Sequence, residues 1–425
     1  MILSADWVMP VSAPPIRDGA VAIADGRITA VGTSADLGEG MRFDGAAIVP
    51  GFVNAHSHLE YAVYAGFGDG LVFGDWIGVH IERKQRLEFE DVVDISRLGV
   101  AECLASGITC VGDCAFHGAA AVACHELGLR GIVYLEVFGS DPETALGRFE
   151  RLRDLAAAGF SERVRPGVSP HAPYTVTSEV YAACAELGVP VATHISESVA
   201  EAEYLSGRGG PWEAFRELLV TPAGTTGTRL LNEIGALGPQ LVAAHCVTVE
   251  PDEIALLAEH GAGVAHCPRS NALLGCGVAP LRDLLDRGVT VGLGTDSPAS
   301  TPSFDMFEEL RSAIAFARAR ERRPDALSAT EALELATLGA ARALGLAEDV
   351  GSLDAGKQAD LAVVSLEGSP YLPWEDPAAA VVFGGSPPRV LLTMVGGEVR
   401  YERGNFPWHE LRQKGTEARA RLLGR

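Results

Sequence analysis

Between residue 50 and about residue 346 the chain repeats one unit: a short apolar segment, a polar loop, and a stretch whose apolar residues recur at helical spacing. Eight such segments can be placed, at 51–55, 108–112, 132–137, 164–168, 189–193, 241–244, 263–265 and 290–293. Strands that alternate with helices pair in parallel and are covered by those helices, so eight units in a row predict an α/β fold, a (β/α)8 TIM-like barrel over 51–346. The ends break the pattern. Residues 1–50 read as short β segments, with a hairpin turn at Asp25-Gly26, and the tail from 347 returns to alternation in VGSLDAGKQADLAVVSL and around Gly396-Gly397. The two ends, 1–50 and 347–425, are therefore expected to meet as one small accessory β-sandwich.

Charge narrows the partners. With 56 acidic against 34 basic residues the formal charge is −22, which repels phosphate backbones and anionic lipid, so neither nucleic acid nor membrane is expected. MILSADWVMP lacks the basic start and apolar run of a signal peptide, and no later run is long enough to span a bilayer. The cytoplasm is the expected compartment. Eight cysteines, none in a CxxC pair, read as buried, reduced side chains. A small-molecule substrate fits this composition, and so does a homo-oligomer.

Barrel enzymes carry their reacting groups at the C-terminal ends of the strands, so the ionisable residues found there are the candidates. Strand one ends in His56-Ser57-His58, strand four runs into His171, and strand five ends in His194 with Glu197 three residues on. Strand six ends in His245 and strand eight in Asp296. Side chains alternate along a strand, so His56 and His58 point to the same side, and two imidazoles converging on one point suit Zn²⁺ or Fe²⁺. Asp296, in Gly294-Thr295-Asp296-Ser297, is either a turn aspartate or a carboxylate that binds metal and holds a nucleophilic water. Glu197 is either a helix N-terminal acid or the proton shuttle of a hydrolytic deamination. His260 reads as surface and His266 is open, whereas His80, His117, His125 and His409 fit no convergent position.

The segments PGFVNAHSHLE, SPHAPYTVT, HISES, AAHCVTV, AHCPRSNALLG, GLGTDSPAS and GSLDAGKQADLAVV resemble the amidohydrolase superfamily across nearly the whole chain. Within it they are similar to the adenine-nucleoside deaminases, which act on S-adenosylhomocysteine, methylthioadenosine and aminodeoxyfutalosine and have triazine chlorohydrolases as relatives. The resemblance implies that His56, His58, His194 and Asp296 ligate one divalent metal, zinc first and iron second, and that Glu197 shuttles protons. It further implies that His245 hydrogen-bonds the attacking water, that His171 touches the substrate, and that the Phe73-Gly74-Asp75-Trp76 loop contacts sugar and base, with Trp76 in contact. The family's ribose-binding glutamate has no counterpart there, since the chain carries Gly74; Asp75 or Glu60 could replace it. Binuclear relatives bridge two metals with a carboxylated lysine on strand four, and this chain has no lysine between Lys84 and Lys357.

The expected activity is thus deamination of an adenine nucleoside-like substrate with release of ammonia. HSHLE and SPHAPYT stand nearest the aminodeoxyfutalosine group. The alternatives are a hydrolase of another amino- or chloro-substituted heterocycle, guanine- or triazine-like, and a non-catalytic scaffold on the same barrel.

Overall fold

The computed structural model describes residues 1–38, 40–209, 212–368 and 375–425. All eight expected barrel strands form: Phe52–Ser57, Ile108–Ala115, Arg130–Val137, Val164–Pro170, Val191–Ile195, Leu241–His245, Gly263–His266 and Thr290–Leu293. Each pairs in parallel with the next in sequence. Ile108–Ala115 is buried at every position, which is why these strands read as continuous apolar runs. Strand eight returns to strand one through a parallel bridge between Ser57 and Asp296, and the Asp296 amide donates to the His56 carbonyl at 2.9 Å. Helices cover the outside closely. A Cβ at Gly292 would lie 2.4 Å from the Ala340 Cα, so glycine is what lets the helical segment Ala340–Ala343 touch the sheet.

The terminal segments form one mixed sheet of seven strands, in the order Glu398–Glu402, Val390–Val395, Leu361–Ser365, Met41–Pro50, Ile2–Val8, Ile16–Ala24, Arg27–Thr33. Leu361–Ser365 lies antiparallel between Met41–Pro50 and Val390–Val395, which joins the two chain ends into one sheet. The turn at Asp25-Gly26 holds both residues at positive φ, 50° and 77°, as a two-residue hairpin requires. Beyond Glu402 the tail does not stay β: Trp408–Leu422 is a helix packed on the barrel helix Phe89–Ala105.

The sheet is tied to the barrel end opposite the strand-end histidines. Arg130, opening strand three, makes two bonds to Asp360, Nε to Oδ2 at 2.9 Å and Nη2 to Oδ1 at 3.1 Å, and the Gly396 amide also donates to Oδ1. The two side chains are only 11% and 1% exposed. Removing one partner of a buried pair strands the other charge, so Asp360→Ala should destabilise the fold by about 3–5 kcal/mol. Thermal or urea unfolding checks this, and the folded fraction should keep its turnover because the pair lies far from the reacting groups.

Candidate active site

Five strand ends deliver imidazole or carboxylate groups to one point. The Nε2 atoms of His58 and His194 stand 3.2 Å apart, and Asp296 Oδ1 lies 3.6 Å from His58 Nε2 and 3.8 Å from His56 Nε2. His245 Nε2 closes the group 3.6 Å from Glu197 Oε1. His56, His194 and His245 also have nitrogens within 4.8 Å of one another.

The surrounding bonds aim these atoms. His194 Nδ1 donates to the His171 carbonyl at 2.8 Å, which leaves its Nε2 lone pair toward the cluster. Asp296 Oδ2 accepts from Ser270 at 2.6 Å and Ser300 at 2.9 Å, so Oδ1 is left to face the histidines. His245 Nδ1 meets Asn271 Oδ1 at 3.0 Å. Asn54 holds the seam: its amide donates to Thr295 Oγ1 at 2.7 Å and accepts from the Thr295 amide at 2.9 Å. Ser196, His245, Cys246 and Asp296 all have positive φ, between 48° and 76°, so these strand ends carry backbone strain.

Burial and mutual repulsion set the charge. Burial, then the His58 and His194 imidazoles, hold His56 well below the ordinary histidine range, and burial with His58 takes His194 down to about 3. These rings are therefore neutral, the form that ligates a cation. Burial opposes the charge on Asp296, but His58, His245 and Ser270 outweigh it and keep the carboxylate below its usual value. Glu197 goes the other way, raised well above the carboxylate range by burial and then by the charge of Asp296. Buried His56 Nε2 has no hydrogen-bond partner, and with two further imidazole nitrogens and one carboxylate oxygen beside it the donor set fits a single divalent ion. A second ion on Glu136, His171 and His194 is not served by these groups, because the one free His194 nitrogen already faces the first cluster.

Above the cluster opens a cavity of about 650 Å³, within the range of small-molecule sites. His58, His171, His194, Glu197, His245, Asp296 and Trp76 all line it. The FGDW segment is not a loop as expected but the first turn of a helix, Phe73–Lys84, that crosses the mouth. Trp76 Nε1 donates to the Ala299 carbonyl at 3.1 Å and ties that helix to the segment after strand eight.

Three expectations need correction. Glu60 is buried outside the lining with both carboxylate oxygens engaged, Oε2 by the amide and ring of His117 and Oε1 by the Ala119 amide, so it is held by its own chain and turned from the cavity. Asp75 is exposed and outside the lining as well. His80 and His117, expected to fit no convergent position, both line the cavity, His80 with its ring 4.7 Å from that of Trp76. His266, left open, is buried at the end of strand seven and pushed down to about 4 by burial. Lys84, Glu136 and Arg148 line the cavity and were missed. Glu136 had a signal, a lone charge near the end of the apolar strand GIVYLEV; Lys84 and Arg148 sit on helices, where nothing in the spacing marks them.

Residues 47–400 match the model of the Amidohydrolase family. The chain belongs to the amidohydrolase family. It is 35% identical to the 5-methylthioadenosine/S-adenosylhomocysteine deaminase of Moorella thermoacetica over 93% of each chain. It is 33% identical to the 5′-deoxyadenosine deaminase of Methanothermobacter thermautotrophicus, over 92% of this chain and 91% of that one. Among solved structures, an adenosine deaminase from Xanthomonas campestris with bound zinc superposes with a TM-score of 0.90 at 28% identity, covering 100% of this chain and 98% of that one.

For this amidohydrolase the seam residue Asn54 gives a test independent of turnover. Asn54→Ala leaves the buried Thr295 amide without a partner, at a cost of about 1–3 kcal/mol, and loosens the turn carrying Asp296. Zinc affinity, measured by competition with a chromogenic chelator, should fall roughly 10–100-fold, and the metal-free melting temperature should drop.

Proposed function

We propose that this amidohydrolase hydrolytically deaminates an adenine nucleoside, with one divalent metal, zinc, as its cofactor. The observation that carries the reading is Glu197: a buried carboxyl, held toward its protonated form, 3.6 Å from His245 and beside Asp296, at the floor of a cavity of nucleoside size. Relatives named as deaminases of methylthioadenosine, S-adenosylhomocysteine and 5′-deoxyadenosine support the same class. So does the likeness to an adenosine deaminase with zinc.

In this reading His56, His58, His194 and Asp296 hold the ion. When bound, it lowers the pKa of water toward neutrality and so supplies a nucleophile. Overall a C–O bond forms at the ring carbon and the C–N bond to the amino group breaks; of the two protons that water gives up, one stays on the ring nitrogen and the other leaves on ammonia. Glu197 Oε1 moves those protons, first to the ring nitrogen and then to the departing amine. Its high proton affinity comes from burial and from Asp296, and it suits a group that must begin as a donor toward a weakly basic ring. His245, oriented by Asn271, accepts from the attacking water, and His171 faces the purine. Its Nδ1 is engaged 2.8 Å from the Thr175 hydroxyl, which itself donates to the Ala172 carbonyl, so Nε2 is the atom left for substrate.

The direct test is ammonia release by metal-quantified enzyme from adenosine, 5′-deoxyadenosine, methylthioadenosine, S-adenosylhomocysteine and aminodeoxyfutalosine, against guanine and an aminotriazine. Activity confined to guanine or the triazine would overturn the nucleoside assignment. About one zinc per chain should accompany full activity, and Asp296→Ala should lose both, because it removes a ligand and an acceptor for the water.

Glu197→Gln separates catalysis from capping. It keeps the shape but cannot carry a proton, so kcat should fall by at least ~10²-fold with zinc content and melting temperature nearly unchanged. A stability loss with turnover retained would mean that Glu197 is only a helix acid.

A further inference from the structure

The cavity lining contains three carboxyl residues among the described residues: Glu197, Asp296 and Glu136. The first two belong to the chemical cluster. Glu136, on strand three, is 3% exposed, yet its carboxyl makes no hydrogen bond or ion pair with any described residue. Its backbone is fixed, since the Glu136 carbonyl accepts from Arg148 Nε at 2.8 Å, so the side chain cannot retreat from the cavity by a shift of the strand. One of its oxygens lies within 4.8 Å of ring nitrogens of both His171 and His194. Lys84, a cation on the same wall, is turned over the Phe116 ring with its ammonium 3.4 Å from the ring centre, and forms no ion pair with Glu136. A buried carboxyl without a protein partner is costly, and the vacant acceptors point to a ligand that donates.

Resting on the deaminase reading above, we infer that Glu136 is the residue that recognises the sugar, accepting hydrogen bonds from the vicinal hydroxyls of the ribose. With the C6 amino group at the cluster, the sugar leaves the purine on the side turned from the metal ligands, along the wall where strands three and four present Glu136 and His171. A carboxylate offers two acceptor oxygens and no donor, and a vicinal diol offers two donors at matching separation. The other acids near the mouth do not compete: Glu60 has both oxygens engaged, and Asp75 faces solvent. Recognition by a group on a rigid barrel strand also explains how the chain dispenses with an acid at Gly74, where a Cβ would already lie 2.5 Å from the Trp212 ring.

The test compares kcat/KM of zinc-loaded enzyme for a 5′-substituted adenine riboside with its 2′-deoxy and 3′-deoxy counterparts, in wild type and in Glu136→Gln and Glu136→Leu. Wild type should prefer the riboside over the 3′-deoxy compound by ~10²-fold, the size expected when a hydrogen bond to a charged group is lost. Both variants should shrink that preference to a few-fold by losing rate on the riboside alone, with zinc content and melting temperature held. Equal losses on riboside and deoxyriboside, or a preference unmoved by the substitutions, would overturn the inference. A wild type indifferent to the hydroxyls would overturn it too. Should the wild-type enzyme release ammonia from none of these nucleosides, the deaminase reading itself falls; should it do so with Glu136 immaterial, only this assignment does.

Discussion

Where strand eight meets strand one, the Asp296 amide is bonded to the His56 carbonyl and Asn54 clamps Thr295 through both ends of its side-chain amide, 241 residues away in sequence. That seam closes the sheet, and it is also what sets a carboxylate against the paired histidines of strand one. A barrel left open by one strand pair would separate Asp296 from His56 and His58, and the cluster would lose its anion. Fold closure and site assembly are therefore one event here, and His245, Cys246 and Asp296 take up left-handed backbone at those strand ends.

The seam has an electrostatic consequence. Five imidazoles packed within a few ångströms are stable only if nearly all are neutral, and burial together with mutual repulsion keeps His56, His171 and His194 in that state. Neutral rings carry the lone pairs that a cation needs. The same burial pushes Glu197 toward its acid form, helped by the charge that the neighbouring Asp296 retains through its serine and histidine partners. Two carboxyls a short distance apart thus take opposite protonation states, the arrangement by which one site supplies both a ligand and a proton donor.

The cavity above the cluster has a different origin. Its floor is made of strand ends, whose positions the hydrogen-bonded sheet fixes. Its upper wall is the helix Phe73–Lys84, pinned by Trp76 to the Ala299 carbonyl, together with aromatic side chains such as Phe116 and Phe138. Substitutions in that wall leave the sheet untouched, so it is the part of the molecule in which substrate preference can change at least cost to the fold.

The eight strands, the β character of both ends and the floor of the site were all legible in the sequence, because each rests on a local rule. Alternation of apolar strand and helix implies parallel pairing, and residues at the C-terminal ends of parallel strands share one face whatever the loops do. That reasoning reached His56, His58, His171, His194, His245 and Asp296 without any knowledge of distances. It did not reach the upper wall. His80 and His117 carried no positional signal, and Glu60, placed in the chain like a substrate contact, is taken up by His117 and Ala119. Glu136 was passed over inside an apolar strand. Only the tertiary structure decides such cases, because whether a buried carboxyl is satisfied by its own chain or left facing a cavity depends on neighbours far away in sequence, and no spacing rule encodes their positions.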